Sequence, residues 1–107
     1  MNTITDIQDT LKNSPAVMIY FSAPTCNVCH ALKPKLLAAL NNNFKGFEVI
    51  SIDISETPEI AAHFSVFTIP TVLIYLDNQE FLRKSRHMSV DDVIAQIERP
   101  YSIMMSS

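Results

Sequence analysis

Two cysteines separated by two residues are the side chains of this 107-residue chain with the clearest chemical potential. Cys26 and Cys29 lie where a strand-like apolar run gives way to a long helical pattern. Free backbone N–H groups and the positive end of the helix dipole favour a thiolate there, and the thiolate is the nucleophile of disulfide exchange. One helical turn brings the second sulfur back to the first. We therefore predict that Cys26 is the exposed nucleophile and Cys29 the thiol that resolves a mixed disulfide.

The residues before the cysteine pair predict one helix and one strand. Thr5 and Gln8 have the spacing of a capping box, so a short helix is expected from there to about Asn13. The continuous apolar run from Ala16 to Phe21 is typical of a strand buried on both faces. This strand leads directly towards the cysteines.

The middle of the chain predicts a helix, a strand and a second, shorter helix. Leucines at helical spacing indicate a helix from about Cys26 to Asn42, which Pro34 should kink. The alternating segment from Phe47 to Ile54 predicts a second strand. Thr57, followed by a proline and an acid, predicts a hydroxyl-capped helix that ends near Phe64.

The last third predicts a hairpin and a final helix. Strands are expected from Thr71 to Tyr75 and from Glu80 to Arg86, joined by turn residues. Ser89 is the expected cap of the last helix, and Pro100 its expected end.

The element order predicts an α/β fold in one domain that spans residues 1–107. Strands separated by helices favour parallel pairing, and the closing hairpin requires antiparallel pairing. The expected architecture is a mixed central sheet of about four strands, flanked by helices on both faces. The core is expected over about residues 5–99, with residues 100–107 as a frayed tail.

With the elements placed, the sequence resembles the thioredoxin family. The Cys26–Cys29 motif at the start of a helix, Pro34 five residues later and Ile69-Pro70 before the third strand all have the family's spacing. The resemblance covers roughly residues 5–99 and implies a thioredoxin fold. It also implies a cis Ile69–Pro70 bond beside the cysteines, whose neighbouring backbone pairs with bound substrate.

The resemblance implies a thiol–disulfide oxidoreductase that reduces or exchanges disulfides in protein substrates. The Cys26–Cys29 disulfide is then the redox centre, and no bound cofactor is expected. NADPH would act only through a partner such as thioredoxin reductase, because one glycine in the whole chain leaves no glycine-rich dinucleotide loop. A monomer is expected. The substrate-contacting residues would be Thr25, Asn27, Val28, Ile69 and Pro70.

Several positions depart from the family's pattern. Tyr20 stands where thioredoxins bury an aspartate, and Val49 stands where they place its lysine partner. Losing both together is physically consistent, since one buried charge left alone is costly. Tyr20 and His30 are candidate modulators, although a phenol with a pKa near 10 is a poor base and a surface position is favoured for His30. Thioredoxins also carry a glycine near the substrate groove, and alignment with the family puts His87 at that position.

Three other functions fit parts of the sequence. The cysteines followed by His30 match the attachment motif for c-type haem. Cys26, Cys29 and His30, with His63 or His87, also offer zinc-ligand types, although no second motif supports a zinc site. A thioredoxin-like protein-binding module with little turnover is the main alternative, but such a module has no need of two thiols at a helix start.

The bulk properties narrow the class further. The formal net charge is −3, and the acids are spread along the chain, so no basic face for nucleic acid is expected. No apolar run is long enough to cross a bilayer. The first residues lack the basic start and apolar segment of a secretory signal, so a cytoplasmic protein is expected. In that compartment a cysteine pair is more often catalytic or metal-binding than structural.

Overall fold

A computed structural model describes residues 3–106; Met1, Asn2 and Ser107 lie outside the described part of the chain. The predicted order of helices and strands is confirmed, with bounds that differ by a few residues at most, except at the end of the last helix. No helix between residues 3 and 106 is long and apolar enough to cross a membrane. The elements are α1 (Ile4–Asn13), β1 (Ala16–Ser22), α2 (Asn27–Asn43), β2 (Phe47–Asp53), α3 (Pro58–His63), β3 (Thr71–Leu76), β4 (Gln79–Ser85) and α4 (Val90–Ser106).

The four strands form one mixed sheet in the order β2-β1-β3-β4. β1 is parallel to β2 and antiparallel to β3, and β3 and β4 form an antiparallel hairpin. The expectation of parallel pairing between strands separated by a helix is therefore wrong for β3. The six residues of α3 rise only about 9 Å, too little to carry the chain back along the sheet. β3 therefore starts at the edge where β1 and β2 end.

The central strand β1 is buried on both faces, as its apolar run predicts. Tyr20 and Met18 point towards α2 and α4, whereas Ile19 and Phe21 point towards α1 and α3. Burying a large apolar side chain stabilises a fold by about 1.5–3 kcal/mol relative to exposure. The strand that leads to the cysteines is thus among the most firmly packed parts of the molecule.

Two predicted helix caps are wrong. Thr3, not Thr5, caps α1: its hydroxyl accepts a hydrogen bond from the Asp6 N–H at 3.1 Å, and Asp6 reaches back to the Thr3 N–H. A hydroxyl followed three residues later by an acid or an amide occurs at both Thr3 and Thr5, and the earlier cap lets α1 begin two residues sooner. Thr57 precedes α3 as predicted, but its hydroxyl donates to the Asp53 carbonyl at 3.2 Å and so does not cap the helix.

The last helix continues past Pro100 to Ser106, so the expected helix end is wrong, and residues 100–106 are helical where a frayed tail was expected. Tyr101 is buried, and its hydroxyl donates a hydrogen bond to the Lys45 carbonyl. Its ring lies 4.8 Å from Phe44 and 5.6 Å from Phe47, measured between ring centroids. This aromatic contact stabilises the end of α4 and offsets the backbone hydrogen bond that a proline removes.

Candidate active site

The cysteine pair lies at the N-terminus of α2. Cys26 is the N-cap of the helix, and the two residues form a disulfide with their Cα atoms 5.3 Å apart. The Cys29 N–H donates to the Cys26 sulfur at 3.2 Å, a contact that favours negative charge on that sulfur. Cys26 is half-buried, whereas Cys29 is only 1% exposed. An incoming thiol or disulfide can therefore reach the first sulfur much more readily than the second.

A short turn between β1 and α2 presents Cys26. The Cys26 N–H donates to the Ala23 carbonyl at 3.0 Å, and the Cys26 carbonyl accepts from the His30 N–H at 3.2 Å as the helix starts. The exposed His30 ring places Nε2 2.9 Å from the Pro24 carbonyl oxygen. His30 is thus a surface residue that holds the turn together.

A groove of about 400 Å³ opens beside the cysteine pair. Of the predicted substrate-contacting residues, Val28, Ile69 and Pro70 line it, whereas Thr25 and Asn27 are exposed without lining it. Val28 is 63% exposed, a large exposure for an apolar side chain. The Ile69–Pro70 peptide bond is cis. The groove is lined by Cys26, Val28, Ile69, Pro70, Arg86 and His87.

Hydrogen bonds join the two segments that form the groove wall opposite Cys26. The buried Thr71 hydroxyl donates to the Thr68 carbonyl at 2.7 Å and lies 3.0 Å from the Ser85 hydroxyl. The Arg86 N–H donates to the Pro70 carbonyl at 2.7 Å. The segment before β3 and the segment after β4 are therefore held in one arrangement opposite Cys26.

Arg86 is a groove residue that the sequence pattern did not reveal. Its backbone has φ +59°, in the left-handed region that favours glycine. His87 also lines the groove but has no positive φ, so the groove residue in a glycine-favouring conformation is Arg86 rather than His87. The signal available in the sequence was a basic residue at the end of the last predicted strand.

Tyr20 lies beneath the cysteine pair. Its side chain is fully buried, and its hydroxyl donates to the Cys29 carbonyl at 2.6 Å. Burial raises the pKa of Tyr20 to about 12, so the phenol stays protonated at neutral pH and cannot serve as a base. Val49 is on the edge strand β2, on the same sheet face, and is 36% exposed.

Of the residues suggested as zinc ligands, His87 lines the groove with Cys26, whereas His63 lies away from the cysteine pair. His63 lies at the end of α3, on the face of the sheet opposite to α2, and its ring packs 5.0 Å from that of Phe64. Between residues 3 and 106, no cluster of three or more histidine, cysteine or acidic side chains is arranged to hold a metal ion.

Comparisons with known proteins agree on one family. The family model for thioredoxin matches residues 2–99. The thioredoxin-like protein YdfQ of Bacillus subtilis is 32% identical over 103 residues, which is 96% of this chain and 91% of that protein. The structure of thioredoxin 1 from Thermosipho africanus is 36% identical, with a TM-score of 0.73 over 81% of this chain and 96% of that one. A thioredoxin mutant from Halobacterium salinarum, 22% identical, shares the fold with a TM-score of 0.80 over 92% and 86% of the two chains.

Proposed function

This chain belongs to the thioredoxin family and is a protein thiol–disulfide oxidoreductase, and we propose that it reduces or exchanges disulfides of other proteins, with Cys26 as nucleophile and Cys29 as resolving thiol. The difference in exposure between the two sulfurs carries this assignment. Only the outer sulfur can meet a substrate disulfide, and the inner one can then attack from within the helix.

The proposed reaction has two exchange steps. The Cys26 thiolate attacks one sulfur of the substrate disulfide, which forms a mixed disulfide and releases the other substrate sulfur as a thiolate. The Cys29 thiolate then attacks the Cys26 sulfur and releases the second substrate thiolate. The substrate gains two electrons, and the protein is left with the Cys26–Cys29 disulfide. Backbone N–H groups at the start of α2 favour the thiolate form of Cys26 in the first step.

The groove supports a substrate held as an extended segment. We propose that Val28 and Pro70 contact it and that the backbone beside Ile69 pairs with it, since all three line the groove next to Cys26. Thr25 and Asn27 would contact the rim of a larger substrate from their exposed positions. Tyr20 is proposed to position Cys29, and His30 to hold the turn that presents Cys26.

Repeated turnover requires a partner that reduces the Cys26–Cys29 disulfide. We propose a thioredoxin reductase that draws on NADPH, so that this chain binds no cofactor of its own. We also propose that the protein is a monomer of one domain and that it works in the cytoplasm, where such a reductant keeps thiols reduced. Neither nucleic acid nor a membrane is a proposed partner.

The direct test couples the protein to thioredoxin reductase, NADPH and a disulfide-bonded test protein. NADPH consumption that depends on this chain is expected. Cys26→Ser should abolish it, and Cys29→Ser should accumulate a covalent mixed disulfide that dithiothreitol releases. If the wild-type pair forms its disulfide yet turns nothing over, the protein-binding module replaces the enzyme. The uncharged Tyr20 in place of a buried acid favours that alternative.

The direction of exchange is tested by the reduction potential of the cysteine pair. Equilibration against glutathione and dithiothreitol should give a value near about −270 mV for a reductase. A value of roughly −180 to −120 mV would instead indicate an isomerase or an oxidant.

A further inference from the structure

The groove beside the cysteine pair carries a charge that the exchange steps do not use. Arg86 and His87 are both exposed and line the groove. The other lining residues described by the structure are apolar or sulfur-bearing: Cys26, Val28, Ile69 and Pro70. Arg86 therefore brings a permanent positive charge to a mainly apolar surface next to the reacting sulfur.

The Arg86 side chain takes part in neither of the ion pairs found between residues 3 and 106. One pair joins Arg83 to Glu80 at 2.9 Å, and the other joins Lys84 to Asp92 at 3.7 Å. It is the backbone N–H of Arg86 that is engaged, by the Pro70 carbonyl. Its guanidinium can therefore bind the carboxylate of another molecule by donating two parallel hydrogen bonds.

The backbone at Arg86 adds a second, independent observation. A side chain at φ +59° costs free energy that a glycine would avoid. Non-glycine residues held in this region cluster at functional sites, where the surrounding structure maintains the strain. Here the hydrogen bond from the Arg86 N–H to the Pro70 carbonyl holds the backbone in this conformation. It also fixes the position from which the Arg86 side chain leaves the groove wall.

We propose that Arg86, assisted by a ring N–H of His87, recognises an acidic residue close to the reacting cysteine of an extended protein segment. This substrate class rests on the proposed function. The reacting cysteine lies against Cys26, and each neighbouring residue of an extended segment is about 3.3 Å further on. In a groove of about 400 Å³, the acidic residue would thus lie within two or three positions of the cysteine.

The chemical step is unchanged by this recognition. The Cys26 thiolate attacks the peptide cysteine sulfur, the leaving thiolate departs, and Cys29 then releases the peptide thiol. The carboxylate bound by Arg86 makes and breaks no bond. It raises the rate by holding the peptide sulfur near Cys26 more of the time.

The test uses short peptides that each carry one cysteine as a mixed disulfide with 2-thiopyridine, a leaving group without charge. The peptides are identical except for glutamate, glutamine or lysine at the first, second or third residue on either side of the cysteine. The fully reduced protein is mixed with each peptide, and thiopyridone release gives the second-order rate constant of the reaction. At low ionic strength, the best glutamate peptide should react about 3- to 5-fold faster than its glutamine counterpart, and added salt should shrink the difference.

Variants assign the preference to Arg86. Arg86→Gln should bring the glutamate-to-glutamine ratio to about one, and Arg86→Lys should restore part of it. The matched control is Arg99→Gln, which removes the same charge from the exposed surface of α4, about 13 Å along the helix from its start. This control should keep the ratio, because the attraction is local and the chain as a whole has net charge −3.

The two proposals fail in different ways. If no peptide is reduced, the proposed function fails. If all peptides are reduced at equal rates, or if Arg86→Gln keeps the glutamate preference, the recognition of an acidic segment is wrong while the function stands. If Arg86→Gln slows the reaction with oxidised glutathione but changes the rate with no peptide, the assignment to a protein segment is wrong.

Discussion

The hydroxyl of Tyr20 donates a 2.6 Å hydrogen bond to the backbone carbonyl of Cys29. This bond joins the most buried strand of the sheet to the first turn of the helix that carries both cysteines. In thioredoxins, by the resemblance, an aspartate lies at the position of Tyr20, with a lysine at that of Val49. Here a neutral side chain fills the site and satisfies a backbone group directly, so no second charge is needed.

Removing this hydrogen bond should cost stability without changing the shape of the core. In Tyr20→Phe, the free energy of unfolding of the oxidised protein should fall by about 1 kcal/mol, because the buried Cys29 carbonyl loses a donor. Urea denaturation measures the change. Tyr75→Phe, at a half-buried tyrosine of β3, is the control and should change stability by less than about 0.5 kcal/mol. Equal losses in the two variants would contradict a special role for the Tyr20 hydroxyl.

Tyr20 should also make the fold sensitive to alkali. Its pKa is about 12 in the folded protein and 10.0 when unperturbed, because burial opposes ionisation. Ionisation therefore favours the unfolded chain, and its contribution to stability is intact below pH 10 and lost as the pH rises towards 12. The full effect is roughly 2–3 kcal/mol.

This alkaline effect can be isolated by comparing two proteins. Urea denaturation is measured at pH values from about 8 to 12, a range that includes both pKa values of Tyr20. The wild type should lose more stability over this range than Tyr20→Phe. Parallel curves for the two proteins would show that Tyr20 does not carry the effect. Burial also raises the pKa of Tyr75. The ionisation of Tyr75 contributes equally to the stability of both proteins and cancels in the comparison.

Restoring the family's buried acid should destabilise this protein. Tyr20→Asp places a carboxylate in a fully buried site without a charged partner, and a loss of about 3 kcal/mol is expected. Adding Val49→Lys should recover about 1 kcal/mol, since residue 49 is on the same sheet face and opposite Met18, which is two residues before Tyr20. Thermal unfolding of both variants measures this. A double variant no more stable than the single one would show that an edge position on β2 cannot supply the partner.

The end of α4 should contribute to stability. Tyr101→Ala removes a buried aromatic ring from its contacts with Phe44 and Phe47, and a loss of about 3 kcal/mol is expected. Ile103→Ala, at a side chain that is 59% exposed on the same helix, is the matched control and should cost less than about 0.5 kcal/mol. If Tyr101→Ala were as mild as Ile103→Ala in urea denaturation, residues 101–106 would behave as a frayed end after all.

Arg86→Gly should raise stability while removing the groove's charge. Glycine adopts φ +59° without strain, so the free energy of unfolding should increase by about 0.5–1 kcal/mol. His87→Gly, at a neighbour without positive φ, should lower it instead, because glycine adds freedom to the unfolded chain. Denaturation of the two variants separates them, and a destabilised Arg86→Gly would show that the backbone there is not strained.

Much of the architecture could be predicted from local patterns. The apolar run in β1 and the leucine spacing in α2 each belong to one element, so periodicity alone locates them. The errors occur where one segment depends on another. The capping box fits Thr5 as well as Thr3 until packing selects the earlier start, and Pro100 ends a helix only where no distant contact, such as that of Tyr101 with Phe44, stabilises the next turn.

The sequence by itself determined the chemistry, because the two-residue spacing of Cys26 and Cys29 and their place before a helix are local properties. The tertiary structure alone decided what surrounds them. The short α3 starts β3 at the same edge of the sheet where β1 ends, and this brings Ile69 and Pro70 to the cysteines. The hairpin then returns Arg86 to that edge. Such contacts depend on strand direction and register, which are set by how helices and sheet pack together rather than by any single segment.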